Sequence, residues 1–115
     1  MYTDTRQFLG KAVTVLMDRP LGTKHPKYGY IYPINYGFIE GTHAPDGQEV
    51  DAYVLGIEEA VDEFTGRCIA LIHRLKDNDD KVVVVPDGRT MTDEEIRQAV
   101  HFQEQYFESE IIRAS

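Results

Sequence analysis

The sequence predicts a mainly β domain, a small barrel or open sheet that carries one amphipathic helix near its C-terminal end. Three observations predict it. Short apolar and β-branched runs recur along most of the chain, separated by Gly, Pro and Asp turns. One late stretch switches to helical spacing. The chain has 115 residues, which leaves room for a single domain over 1–115 and not for two.

Taken in order, Ala12 to Met17 alternates as a strand, and Asp18 to Lys27, with Pro20, Gly22 and Pro26, reads as a loop. Tyr28 to Ile39 is aromatic-rich and interrupted by Gly29, Pro33 and Gly37, which predicts short extended pieces. Gly41 to Gly47 ends in Pro45-Asp46-Gly47, a turn signal. Val50 to Ile57 reads as a strand, Thr65-Gly66 as punctuation, and Arg67 to Arg74 as another strand. Asp77 to Asp80 is a polar loop before the strand Lys81 to Val85, which Pro86-Asp87-Gly88 ends. Thr92-Asp93-Glu94-Glu95 forms a capping box with acids near the positive end of the helix dipole. Ile96, Ala99, Val100, Phe107 and Ile111 then keep helical spacing, with Gln103 as a polar interruption. That spacing predicts a helix of about five turns.

Lys and Arg number 12 and Asp and Glu 20, a net charge of −8. Such a balance argues against a nucleic-acid partner, whose phosphates call for a cationic surplus. No apolar run approaches the ~20 residues that span a bilayer. The first residues lack the basic and apolar blocks of a signal peptide. The expectation is a cytoplasmic protein with no membrane partner. Cys68 is the single cysteine; it cannot form an internal disulfide and reads as a buried thiol.

Two segments gather carboxylates beside apolar strands: Asp46-Gly47-Gln48-Glu49-Val50-Asp51 and Asp77-Asn78-Asp79-Asp80-Lys81. A charge entering a buried strand is costly unless neutralised, and close aspartates repel unless a cation intervenes. Hard oxygen ligands of this kind suit Mg²⁺ or Mn²⁺ and not zinc. A solvated Asp-Gly turn is the alternative reading of each loop taken singly. Tyr28, Tyr30, Tyr32 and Tyr36 follow Lys24, His25 and Lys27. Lysines beside phenols can hold phosphate oxygens. The alternative, preferred for Tyr28 and Tyr30, is that the hydroxyls sit at a barrel edge.

Tyr32-Pro33-Ile34-Asn35-Tyr36-Gly37-Phe38-Ile39, followed by Asp46-Gly47-Gln48-Glu49-Val50-Asp51, resembles the soluble family I inorganic pyrophosphatases. These carry Tyr-Pro-x-Asn-Tyr-Gly-aromatic-Ile and then Asp-Gly-Asp-Pro-apolar-Asp. Three further segments are similar: Asp18-Arg19-Pro20 with Lys27-Tyr28, Asp77 with Asp79-Asp80-Lys81, and Ala99 to Tyr106. The likeness runs from about residue 13 to 108. It implies a five-stranded OB-like barrel and hydrolysis of a phosphoanhydride, most simply pyrophosphate, by metal-activated water. It implies Asp46, Asp51, Asp77 and Asp79 as ligands of Mg²⁺, with Mn²⁺ as a substitute, and Lys27, Tyr36, Lys81 and Tyr106 as holders of phosphate oxygens. Catalysis would fall to Asp46, Asp51, Lys27 and Lys81, and Asp18 would stand where the family has a supporting Glu.

The chain also departs from the family pattern. The middle acid of the signature, which in the family takes the proton of the attacking water, is Gln48, and an amide is no base. Phe107 stands where the family has a Lys after the helix Tyr. A hairpin that carries a phosphate-binding Arg is reduced to Gly29-Tyr30-Ile31, and Lys24, His25 and Arg74 are candidates to restore the lost charge. The expected partner is a small phosphate-containing substrate. The alternatives are a catalytically weak phosphate- or nucleotide-binding module and a hydrolase of a larger nucleoside-diphosphate-type substrate. The aromatic face left by the missing hairpin offers a surface for a homo-oligomer.

Overall fold

The computed structural model describes residues 1–114. A 3-10 turn (Thr5–Phe8) precedes β1 (Ala12–Arg19), β2 (Asn35–Ile39), β3 (Val50–Val54), β4 (Glu63–Arg74) and β5 (Asp80–Val85). The helix α1 (Asp93–Glu104) and a last strand, β6 (Ser109–Arg113), follow. The strand order is β1-β2-β3-β5-β4-β6, and β1 also pairs with β4. The first five strands therefore close into a barrel, and β6 extends the sheet beyond the closure. The β3–β5 ladder is parallel and the others antiparallel. Closure removes open edges, which suits a chain of many short strands.

Strand alternation divides the apolar side chains between two cores. Val15, Val50, Val54, Leu71, Val82 and Val84 fill the barrel. Tyr53, Ile72, Val83 and Val85 face outward and pack under Ile96 and Val100 of α1. β5 is covered on both sides, which is why Lys81 to Val85 are all buried and its valines run without alternation. Cys68 lies in the barrel core, and burial pushes its thiol up to about 11. It is a packing residue and not a nucleophile.

α1 begins at the expected capping box. Thr92 Oγ1 accepts from the Glu95 amide (3.1 Å), and Glu95 Oε1 accepts from the Thr92 amide (2.9 Å). The helix is shorter than its spacing predicts. It ends at Glu104, so Phe107 lies in the turn that follows and Ile111 in β6. The reason is the free edge of β4, which continues past the closure to Arg74. Ser109–Arg113 pairs with that edge, setting Ile111 beside Ile72 and Ile112 beside Leu71. β-branched residues suit this pairing better than another turn of helix.

Thr65-Gly66 does not punctuate either; both residues lie inside β4. A Cβ at Gly66 would run into the Val85 carbonyl oxygen and the Phe64 ring, so glycine marks a close approach of two strands. None of the described residues forms a helix long and apolar enough to cross a membrane.

Urea unfolding tests both devices. Gly66→Ala should lose about 1–3 kcal/mol, because the neighbouring β5 backbone has to move. Thr92→Ala should lose about 1 kcal/mol. A Gly66→Ala chain as stable as the parent would contradict the close approach.

Candidate active site

Strand register brings the site together. Across the parallel ladder Asp51 stands opposite Lys81, and across the β4–β5 ladder Ile72 stands opposite Lys81 and His73 opposite Asp80. Alternation then sends Asp51 and Tyr53, Lys81 and Val83, and Ile72 and Arg74 to the face covered by α1. Each row is apolar under the helix and charged at the same end of the sheet. Asp79 joins this face, whereas Asp80 points the other way, to His73 Nδ1 (2.6 Å) and the Thr5 hydroxyl.

The charged ends interlock. Lys81 Nζ donates to Asp51 Oδ2 (2.7 Å) and Asp79 Oδ2 (2.8 Å). Arg74 grips Glu104 of α1 in a fork, Nε to Oε1 at 3.1 Å and Nη2 to Oε2 at 2.7 Å. The Tyr53 hydroxyl donates to Glu104 Oε2 (2.6 Å) and accepts from Gln103 Nε2 (2.8 Å). Gln103 Oε1 accepts from the hydroxyls of Tyr30 and Tyr32, each at 3.1 Å. Among the described residues no buried side-chain nitrogen or oxygen lacks a partner, as a buried polar network requires.

Beside this network opens a cleft of about 990 Å³. Asp18, Tyr36, Asp51, Arg74 and Lys81 line its polar part; His25, Tyr28, Tyr30 and Tyr32 form an aromatic wall; Tyr106 and Phe107 complete the rim. His25 lies 4.9 Å from both the Tyr28 and the Tyr30 rings, and Tyr32 stacks on Tyr36 at 5.7 Å. Asp18 sits where the β1–β2 register shifts, between Met17 and Arg19, and such a bulge re-aims a side chain.

Burial and neighbours set the proton affinities. Burial pushes the Tyr36 and Tyr53 phenols well above their ordinary value, and the carboxylates of Asp51 and Glu104, respectively, add to it. Tyr30 is pushed up to about 12, chiefly by lost water. Burial works against the Lys81 ammonium, but Asp51 and Asp79 outweigh it and raise its value. Asp18 is exposed as a residue, yet the cleft strips enough water from its carboxyl to raise it; Arg19 opposes that shift, and Asp51 and Glu49 add to it.

Of the residues expected from the sequence, Asp51, Lys81, Tyr36 and Tyr106 line the cleft, and Asp79 touches it through Lys81. Lys27 is exposed, with its ammonium 5.2 Å over the Tyr28 ring, and does not line the cleft. Asp46 is exposed and accepts from the Gln48 amide (2.9 Å), closing a local turn. Asp77 is exposed at the β4–β5 turn, next to Asn78, whose φ of 53° suits an Asn.

Of the four aspartates, Asp51 and Asp79 meet at Lys81, whereas Asp46 and Asp77 lie exposed in turns. Among the described residues no three His, Cys, Asp or Glu side chains come together as a metal cage. A cage built only of protein ligands does not fit. The other habit of Mg²⁺ does: one or two carboxylates, with water and substrate phosphate oxygens completing the octahedron. Asp51 gives Oδ2 to Lys81, and its side chain, 25% exposed, keeps carboxylate surface on the cleft. Arg74, a candidate to restore the lost charge, lines the cleft; Gln103 and Glu104 were not expected in a site. Gln103 had signalled itself by breaking an apolar helical stripe.

Alkaline unfolding checks these affinities. The folded chain keeps protons on Tyr36, Tyr53 and Lys81 that an unfolded chain releases near pH 10. Their contribution is thus intact below about pH 10 and is lost as pH rises through the raised folded values. Thermal melts should show the midpoint falling above about pH 10, and less steeply in Tyr53→Phe. An equal slope in that variant would remove Tyr53 from the explanation.

No curated protein matches the sequence significantly. Solved structures do match. The inorganic pyrophosphatase of Ehrlichia chaffeensis superposes with a TM-score of 0.66 at 20% identity, over 91% of this chain and 87% of that one. Those of Neisseria gonorrhoeae (0.62, 22% identity, 90% and 81% covered) and Helicobacter pylori (0.62, 21%, 83% and 75%) share the fold. The model of one family, inorganic pyrophosphatase, matches residues 12–111. With nearly its whole length matched, the chain belongs to the inorganic pyrophosphatase family.

Proposed function

We propose that this chain hydrolyses inorganic pyrophosphate to two phosphates in the cleft at the head of β3 and β5, with Mg²⁺ as cofactor. One observation carries the reading: in a chain of this family, a buried lysine is held between Asp51 and Asp79 on the wall of an open cleft. Two of the three N–H donors of Lys81 are engaged, which leaves one for a phosphoryl oxygen. The Tyr36 hydroxyl, kept protonated by burial, donates a second hydrogen bond, and Tyr106 closes the mouth. Asp79 touches no substrate in this reading; it positions Lys81.

Asp51 would hold Mg²⁺. When bound, the ion lowers the pKa of an attacking water and neutralises charge on the transferring phosphoryl group. Gln48 is exposed and, as an amide, cannot take the water's proton. Asp18 takes it, since a carboxylate with a raised value is the better base near neutral pH. The new P–O bond forms as the bridging P–O bond breaks. The second phosphate leaves with the bridging oxygen, its charge stabilised by Lys81.

A larger diphosphate substrate is a second reading, favoured by the cleft volume of about 990 Å³ and the aromatic wall around His25 and Tyr28. Sites of roughly that size hold ligands well beyond pyrophosphate.

A phosphate-release assay on the purified chain decides. Pyrophosphate should be turned over with Mg²⁺, stopped by EDTA and restored by added Mg²⁺. Asp18→Asn should lower the rate about 10²-fold and flatten the acid limb of its pH profile. Asp51→Asn should lower the rate and raise the Mg²⁺ concentration needed for half activity. No release above background would sink the hydrolase reading, and faster release from ADP than from pyrophosphate would favour the larger substrate.

A further inference from the structure

We propose that Arg74 binds a phosphoryl group of the substrate through Nη1, with Phe107 as the platform beneath its guanidinium. The subsite deepens the hydrolase reading and rests on it for the identity of the anion. Arg74 is a cleft-lining cation only 8% exposed. Its Nε and Nη2 are both engaged by Glu104. Its Nη1 makes no hydrogen bond; the nearest acidic oxygen, Asp79 Oδ2, is 4.0 Å away, beyond hydrogen-bonding reach. No buried side-chain nitrogen among the described residues lacks a partner, so Nη1 keeps exposed surface, in a residue that lines the cleft. A guanidinium carries two N–H groups there.

The rest of the group is locked. The fork to Glu104 fixes its plane, and the Phe107 ring lies 3.7 Å below its central carbon. Charge and face are thus set before any anion arrives, which reduces the ordering that binding requires. Lys81 is the neighbouring cation. Asp79 joins the two, 2.8 Å from Lys81 Nζ and 4.0 Å from Arg74 Nη1. Each cation therefore keeps a free donor on the cleft side. Glu104 lies on the opposite edge of the guanidinium and does not stand between Nη1 and an incoming anion.

Two departures of the sequence meet at this point. The resemblance puts Phe107 where the family has a lysine, and leaves Gly29-Tyr30-Ile31 of a hairpin that in the family carries a phosphate-binding Arg. Lys27 does not line the cleft. Arg74, at the end of β4 and stacked on the Phe107 ring, supplies charge to the cleft from a different strand. A flat ring serves this purpose where a lysine would repel.

Binding of imidodiphosphate, a non-hydrolysable diphosphate, is measured by calorimetry with Mg²⁺ present, beside the phosphate-release assay. Arg74→Gln would leave Glu104 buried without its partner, so Arg74→Gln/Glu104→Gln is used, with thermal melts to confirm folding. The paired variant should bind imidodiphosphate about 10–100-fold more weakly, the worth of a charge-assisted hydrogen bond. Adding Phe107→Lys to it should recover most of that loss, which a purely structural role would not allow. A folded paired variant that binds as tightly as the parent overturns the subsite. A parent that binds imidodiphosphate but never cleaves pyrophosphate overturns the hydrolase reading and leaves the subsite standing.

Discussion

Asp51 faces Lys81 across a parallel ladder, and the cleft is built around that pair. The side-chain period of a strand is two, so a slip of one residue in β5 would turn Lys81 into the barrel and a valine toward Asp51. A bare ammonium among Val15, Val54 and Leu71 would be strongly disfavoured. Charge and register therefore specify each other. The valines of β5 are apolar on both faces and cannot by themselves tell one register from the next. Lys81 and Asp79 can, because only one register gives both a partner.

The helix is fixed to the same point by a different device. Ile96 and Val100 supply its apolar contact, but direction comes from Glu104 and Gln103 at its end. Glu104 meets Arg74 and Tyr53, and Gln103 meets Tyr53, Tyr30 and Tyr32. Two strands and the shortened Lys24–Tyr32 segment are thus tied to one helical turn. That segment closes on itself through His25 N to Tyr30 O (2.7 Å) and Tyr32 N to Thr23 O (2.8 Å). A tyrosine stack bonded to the helix forms one wall of the cleft.

Local pattern made the central runs of β1, β3, β4 and β5, the capping box and the buried Cys68 legible in the sequence, because each depends on neighbours in the chain. The end of α1 was not legible. Phe107 and Ile111 keep helical spacing, and only the free edge of β4 explains why Ile111 pairs as a strand. The same limit applied to the site. Asp51 and Lys81 stood out as charges entering apolar strands. Arg74 was one of three candidates for the lost charge, with nothing local to place it in the site; its burial comes with Glu104 on a distant element. Whether Asp79 or Asp80 faces the cleft depended on the phase of β5, which one ladder to β3 decides.

The acidity of the chain acquires a specific consequence at the cleft. Its cations are Arg19, Arg74 and Lys81, and the carboxylates around them are Asp18, Asp51, Asp79 and Glu104. Carboxylates outnumber cations, inside a chain of net charge −8. The donors are well placed, but the site holds no positive surplus with which to attract a polyanion. At an effective dielectric near 20, a full charge at about 4 Å is worth about 4 kcal/mol, so a diphosphate entering alone would meet repulsion comparable to the hydrogen bonds it gains. In the proposed reading a divalent cation carried in with the diphosphate would reverse that balance, and Asp51 would receive it. On that reading a need for metal follows from the charge count of the cleft, without a preformed cage of carboxylates.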